Sequence, residues 1–270
     1  MKITFLGGGN MASALIGGLI NQGFSPDDIA VIEIGAENRA RLEKEYEVRC
    51  YAEPKAAAFQ CDALVLAVKP QQMREACAPL QKYLSKQLII SIAAGLRLAD
   101  LSRWLGGHDK LVRAMPNTPA LIGSGVTGLF ALPTVSKAER LGAERILHAV
   151  GSTVWVTDEA QIDAVTAISG GGPAYVFLFI EALQQAAIEL GFTTKQAQQL
   201  SIETALGAAK LAAKSDEPAS VLRERVTSKG GTTEAALLVM AERGVKENIV
   251  AGVLAANARS RELGDLLGKD

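Results

Sequence analysis

"KITFLGGGNMASAL" (residues 2–15) decides how the rest of the chain is read. An apolar run of strand length meets three glycines and then apolar residues at helical spacing. Gly7 permits a tight turn after the strand, and Gly9 lets the backbone approach a pyrophosphate at a helix N-terminus. Ala12 stands where a third glycine is usual and is small enough for helix–strand packing. A glycine-rich turn alone is equally a plain βα turn. Its place as the opening strand–turn–helix unit points to a dinucleotide site, with Leu6, Gly7, Gly8, Gly9, Asn10 and Met11 at the cofactor.

Outward from this unit the pattern repeats. "IAVIEI", "DALVLAV", "QLIISIA" and "KLVRAM" are short apolar runs without strict alternation, as expected of a parallel sheet covered on both faces. Helical stretches at 11–22, 37–46 and 71–82 lie between them, which is the grammar of a doubly wound α/β domain. "GVTGLFAL" and "STVWV" flank a polar helix around 136–149 and extend the sheet. After residue 158 the strands stop. "AYVFLFIEALQQAAIELG", "TKQAQQLSIETALGAAKLAAK", "TEAALLVMAERG" and "VKENIVAGVLAANARSREL" all carry apolar residues three and four apart. The expected division is an α/β dinucleotide-binding domain over 1–157 and an all-α domain over 158–270. A small helical domain with such long apolar faces completes its core against a second subunit.

Composition narrows the function classes. Among 270 residues, 28 Lys and Arg balance 29 Asp and Glu, and no basic run could track a nucleic-acid backbone. The cysteines Cys50, Cys61 and Cys77 lack metal-ligand spacing and read as reduced thiols of a cytoplasmic protein; no metal site is expected. "MKITFLGGGN" lacks the long apolar stretch and small-residue cleavage site of a signal peptide, so none is expected. "AVTAISGGGPAYVFLFI" (164–180) contains three glycines and a proline and is followed by Glu181, so a buried helix entry is expected rather than a membrane span. The two histidines, His108 and His148, read as structural or surface residues.

Ligands of open α/β sheets bind at strand carboxyl ends. Glu33, closing the second strand, is placed to accept the adenosine ribose hydroxyls and to repel a 2′-phosphate. Arg39 and Arg41 could reach such a phosphate or lie on a solvated helix face, which leaves NAD(H) and NADP(H) both open. Ala67, Val68, Lys69 and Pro70 end "LAVKP"; Ala93, Ala94 and Gly95 follow another strand; Asn117 sits between two prolines in "MPNTPA". All are expected along the cofactor edge.

"VTSKGGTTEAAL" (226–237) carries two glycines and two threonines where a helix start needs only one cap. Together with "GGGNMA", "AVKPQ", "MPNTPA" and "DAVTAISGGGPAYVF", in that order, it makes the chain resemble the pyrroline-5-carboxylate reductases over essentially its whole length. The resemblance implies a Rossmann-like domain with a helical dimerisation domain, and reduction of 1-pyrroline-5-carboxylate to L-proline, the last step of proline biosynthesis. It also implies self-association as a dimer or ring of dimers, and it favours NADP(H). Carried over residue by residue, Ser228, Gly230, Gly231, Thr232 and Thr233 form the substrate loop, with Thr233 positioning the ring nitrogen. Glu159, Gly171, Gly172 and Pro173 complete the substrate side. Backbone N–H groups beside glycines at a helix start suit the substrate carboxylate independently.

Departures from the family pattern are Lys229 for a frequent proline and Gly171 for a frequent serine. Glu33, Ile34 and Pro54 stand where relatives can offer serine and asparagine, and they pull against NADP(H). A β-hydroxyacid dehydrogenase would need a lysine on the interdomain helix, and residues 163–194 contain none. Hydride transfer to a protonated imine needs little acid–base machinery, so no certain catalytic side chain is expected beyond substrate positioning. A non-catalytic ligand-binding regulator is the reading of a different class; the intact motifs speak against it, and only a turnover measurement would exclude it.

Overall fold

The structure is a computed structural model that describes residues 1–269. Strand β1 (Ile3–Leu6) leads into helix α1 (Asn10–Asn21), and the alternation continues through β2 (Ile29–Ile32), α2 (Ala36–Tyr46), β3 (Arg49–Tyr51) and β4 (Ala63–Leu66). Then come α3 (Met73–Cys77), β5 (Leu88–Ser91), α4 (Leu98–Trp104), β6 (Leu111–Met115), β7 (Gly125–Ala131), α5 (Lys137–His148) and β8 (Gly151–Trp155). These strands form one sheet in the order β3-β2-β1-β4-β5-β6-β7-β8.

Successive strand residues point to opposite faces, so a strand covered on both sides must be apolar throughout. Phe5, Val31, Val65, Ile90 and Val112 pack on one face with Leu15, Ile16 and Leu19 of α1. Leu6, Ile32, Leu66, Ile89 and Leu111 pack on the other with Met73, Cys77 and Leu101. Burial pushes the Cys77 thiol up to about 12, well above reactive range. Every pairing is parallel except β6 with β7. That reversal follows from the connection, a short 3₁₀ turn (Thr118–Ile122) instead of a crossover helix.

The structure departs from the sequence reading in two elements. The stretch 71–82 is a short α3 between two 3₁₀ segments, Pro70–Gln72 and Ala78–Tyr83. Pro79 has no N–H, so it cannot donate the α-helical bond to the carbonyl four residues before it. The edge strand β3 has only three residues and begins with exposed Arg49, so it carries no apolar run to signal it.

The helical part comprises α6 (Gln161–Val165), a π turn (Thr166–Gly170), α7 (Gly172–Glu189), α8 (Thr194–Ala213), α9 (Ala219–Arg225), α10 (Thr232–Glu242) and α11 (Val245–Leu267). Contacts divide the chain into two compact units: Met1–Gly171 with the segment from Ala256 onward, and Gly172–Ala255. The sheet unit thus extends past residue 157, where the strands end, because α6 packs on β6 and β7. Within Gly172–Ala255 only Ala197 and Ser201 are buried, while Phe177, Leu178, Leu238 and Leu254 are each over 60% exposed. By length and composition the helical run Gln161–Glu189 could cross a membrane. Its first turns instead carry Asp163, buried and ion-paired in the sheet unit.

That pair joins three elements. Arg113 on β6, 1% exposed, donates through Nη2 to Asp163 Oδ1 at 2.7 Å, and Ser260 of α11 donates to the same oxygen at 2.9 Å. Removing one partner of a buried pair leaves an uncompensated charge, so Asp163→Ala should lower stability by about 3–5 kcal/mol in urea denaturation. The combined Arg113→Met, Asp163→Leu variant should recover most of that loss. A small effect of Asp163→Ala would show that the pair does not anchor the fold.

Candidate functional site

The first turn is built as its glycines suggest. Gly7 has φ +99°, and a Cβ there would lie 2.8 Å from the Ala67 carbonyl oxygen, so only glycine fits. Its N–H donates to Ile32 O at 2.8 Å, and Ala67 N–H donates to Leu6 O at 2.8 Å, tying the turn to both neighbouring strand ends. Gly9 is the N-cap residue of α1. No side chain caps this helix, and the space a Cβ would occupy at Gly9 is open. First-turn N–H groups beside an open glycine fit a pyrophosphate.

A cleft of about 470 Å³ opens beside this turn. Leu6, Gly7, Gly8, Gly9, Glu33, Ala67, Val68 and Lys69, all expected at the cofactor, line it. Ile34 and Pro54 line it too, with Ile34 84% exposed. Sequence reasoning missed Asn38, Gln72, Glu75, Ala76 and Pro79. They sit on the segments after β2 and β4, in no motif; their position after strand carboxyl ends was the available signal. Volume and lining suit the adenosine half of a dinucleotide.

Glu33 braces the turn. Its Oε2 accepts from Gly8 N–H at 2.8 Å and its Oε1 from Gly35 N–H at 2.7 Å, so the carboxylate joins the glycine turn to the loop after β2. Each oxygen keeps a lone pair for a ribose hydroxyl. Arg39 Nη1 donates to the Glu33 and Ile34 carbonyls, and Arg41 Nη2 to Gly8 O and Ser13 Oγ. Both arginines therefore brace the rim, and neither lies on a merely solvated face.

The other expected cofactor residues lie outside this cleft. Asn10 and Met11 begin α1, with Met11 packed against the core, and Pro70 opens a 3₁₀ turn. Ala93 is buried and its N–H donates to Ser91 Oγ at 3.3 Å; Ala94 follows it, and Gly95 has φ +78°. A Cβ on Gly264 of α11 would come within 2.9 Å of Gly95 O, so this loop is where α11 closes on the sheet. Asn117 is buried, with its side-chain amide bonded to Ser169 O and Val126 N–H. Glu159 Oε1 accepts from Leu98 N–H at 2.7 Å, capping α4, and lies 3.5 Å from Arg113 Nη1. Gly171 N–H closes the π turn on Thr166 O at 2.9 Å, and Gly172 and Pro173 begin α7. His108 Nε2 bonds Gln87 O. Among the described residues, no three His, Cys, Asp or Glu side chains converge as a metal site.

The second glycine turn lies in the helical unit. Gly230 has φ +73°, and Gly231 is the N-cap residue of α10, again with no side-chain cap. Gly231 N–H donates to Ser228 O at 3.0 Å, and Gly230 N–H to Glu234 Oε2 at 2.6 Å. The two glycine N–H groups expected to cradle an anion are thus engaged within the loop. The donors that remain toward a ligand are those of the first turn of α10, beside the exposed Thr232 and Thr233.

Glu33→Ser should remove the repulsion toward a 2′-phosphate and free Gly8 N–H. The ratio of NADPH to NADH dissociation constants, measured by fluorescence titration, should fall by about 10-fold or more, one charged contact. Equal ratios before and after would show that Glu33 does not sense the ribose.

Two family models match the chain, one over each part. Residues 159–263 match the pyrroline-5-carboxylate reductase dimerisation family, and residues 2–95 match the coenzyme F420-dependent NADP oxidoreductase family. Pyrroline-5-carboxylate reductase of Pseudomonas aeruginosa is 45% identical over 269 residues, covering 99% of this chain and 98% of that protein. The solved pyrroline-5-carboxylate reductase of Coxiella burnetii superposes with a TM-score of 0.92 at 42% identity, covering 97% of this chain and 98% of that one. The Plasmodium falciparum pyrroline carboxylate reductase, solved with NADP bound, has a TM-score of 0.86 at 30% identity, with 98% of each chain covered. With near-complete coverage at this identity, the chain belongs to the pyrroline-5-carboxylate reductase family.

Proposed function

We infer that this chain reduces 1-pyrroline-5-carboxylate to L-proline with NAD(P)H, the last step of proline biosynthesis. The observation that carries this is the presence, in one chain, of two uncapped helix starts behind glycine turns. One borders a cleft of dinucleotide size and the other suits a small carboxylate. Membership of the reductase family supports the same reading.

Each residue group has a chemical task. The α1 N-terminus and Gly9 take the pyrophosphate, while Glu33, Ile34 and Pro54 receive the adenosine. NAD(P)H, when bound, supplies the hydride. The α10 N-terminus takes the substrate carboxylate, and the Thr233 hydroxyl orients the ring nitrogen. Gly171, Gly172 and Pro173 offer a wall of backbone that admits close approach. The side chains of Glu159 and Asn117 are engaged inside the sheet unit, so their contribution is to hold the scaffold. The electrophile is the protonated imine, whose carbon gains the hydride while its nitrogen keeps the proton and becomes an amine. Positioning and water exclusion are the chain's contribution.

A helical unit with almost no buried residues of its own cannot pay for the entropy of ordering itself. Self-association through its exposed apolar helices therefore belongs to the working form, a dimer and further a ring of dimers. Free cysteines fit a reducing cytoplasm.

Purified protein given pyrroline-5-carboxylate should oxidise NADPH or NADH and yield proline. Nucleotide binding without turnover would overturn the reductase reading. Thr233→Ala should raise KM for the imine about 10-fold, the loss of one hydrogen bond, with nucleotide dissociation constants unchanged. An unaltered KM would remove Thr233 from the substrate contact.

A further inference from the structure

An α-helical carbonyl is answered by the N–H four residues on. Ser169 lies in a π turn whose own bond, from Gly171 N–H to Thr166 O, spans five residues, and its partner in the α register would be Pro173, which has no N–H to give. A donor comes from elsewhere: Asn117 Nδ2 donates to Ser169 O at 3.1 Å. Asn117 is 8% exposed, and its Oδ1 accepts from Val126 N–H at 2.9 Å. A donor is required on one side and an acceptor on the other, which fixes the orientation of the amide. The loop that carries it is stiffened by Pro116 and Pro119 and runs straight into the 3₁₀ turn before β7.

The same turn is gripped a second time. A Cβ on Gly170 would lie 2.9 Å from Met115 Cε, at the end of β6. The end of β6 and the loop after it thus hold consecutive residues of the π turn, Ser169 by hydrogen bond and Gly170 by close packing. The chain goes on from there directly into Gly171, Gly172 and Pro173.

We propose that Asn117 is a positioning residue for the reduction: it supplies the hydrogen bond that Pro173 deletes and fixes the turn from which the Gly171–Pro173 backbone emerges. The proposal rests on the reading of that backbone as the substrate wall. It replaces the expectation, drawn from the motif alone, that Asn117 touches the cofactor. Held by a bond on each side, Asn117 contributes through the shape it imposes.

The test is a double-mutant cycle on the full-length protein with Asn117→Asp and Pro173→Ala. Asn117→Asp keeps the acceptor for Val126 but sets an oxygen against the Ser169 carbonyl. Pro173→Ala restores an N–H at position 173. Asn117→Asp alone should lower kcat for the imine by about 10-fold, with the NADPH dissociation constant within about 2-fold of the parent. In the Pro173→Ala background the same change should cost less than about 3-fold, because Ser169 O then has a helical donor.

Loss of NADPH affinity in step with kcat would make Asn117 a cofactor contact and overturn the proposal. Equal losses in both backgrounds would also overturn it, by separating Asn117 from Pro173. Should Asn117→Asp not fold, Asn117→Ser serves in the same cycle. Urea midpoints of the four proteins need no substrate. Coupling there without any imine turnover by the parent would defeat the reductase reading, and the positioning role with it. Coupling in kcat but none from Thr233→Ala would leave this proposal standing and fault only the substrate loop.

Discussion

Asp163 Oδ1 accepts from Arg113 Nη2 and from Ser260 Oγ in the interior of the sheet unit. The chain leaves that unit after Gly171 and re-enters it at Ala256. One carboxylate therefore ties the approach to the exit, on α6, to the return, on α11, and both to β6. Burying this charge is costly, and an apolar replacement of the pair could be as stable. A directional ionic contact does what apolar packing does less well: it specifies one register of two helices against one strand. α11 also comes close to backbone at the Gly95 loop.

The two glycine turns share a construction. In each, the N-cap residue is glycine and no side chain caps the helix, Gly9 before α1 and Gly231 before α10. In each, the N–H of the preceding glycine is answered by a glutamate, Gly8 by Glu33 and Gly230 by Glu234. The turn is thereby held by the chain's own carboxylate, while the first-turn N–H groups stay open to a ligand anion.

Legibility followed the range of the interactions. Gly7 and Gly9 could be assigned from sequence because a tight turn and an open helix start are local demands. The strands were legible because both-face burial writes itself as an unbroken apolar run. Strand β3 was not, since an edge strand of three residues needs no such run. The stretch 71–82 reads as one helix, but Pro79 falls inside it and the structure breaks there into 3₁₀ turns. The loop glycines Gly230 and Gly231 stood out as surplus to a helix cap and were expected to cradle an anion, but which N–H groups remain for a ligand depends on where the Glu234 side chain folds.

By itself, the sequence determined the doubly wound sheet, the helical second part, the two glycine turns and the family. The first three depend on neighbours along the chain or on the periodicity of burial, and the family on the resemblance carried by its ordered motifs. Only the tertiary structure decided that Arg113 and Asp163 meet, that Glu33 braces Gly8, and that Asn117 serves Ser169. Those partners are 50, 25 and 52 positions apart. A polar side chain's role is set by whichever group faces it after folding, and one chain's local pattern holds no record of that.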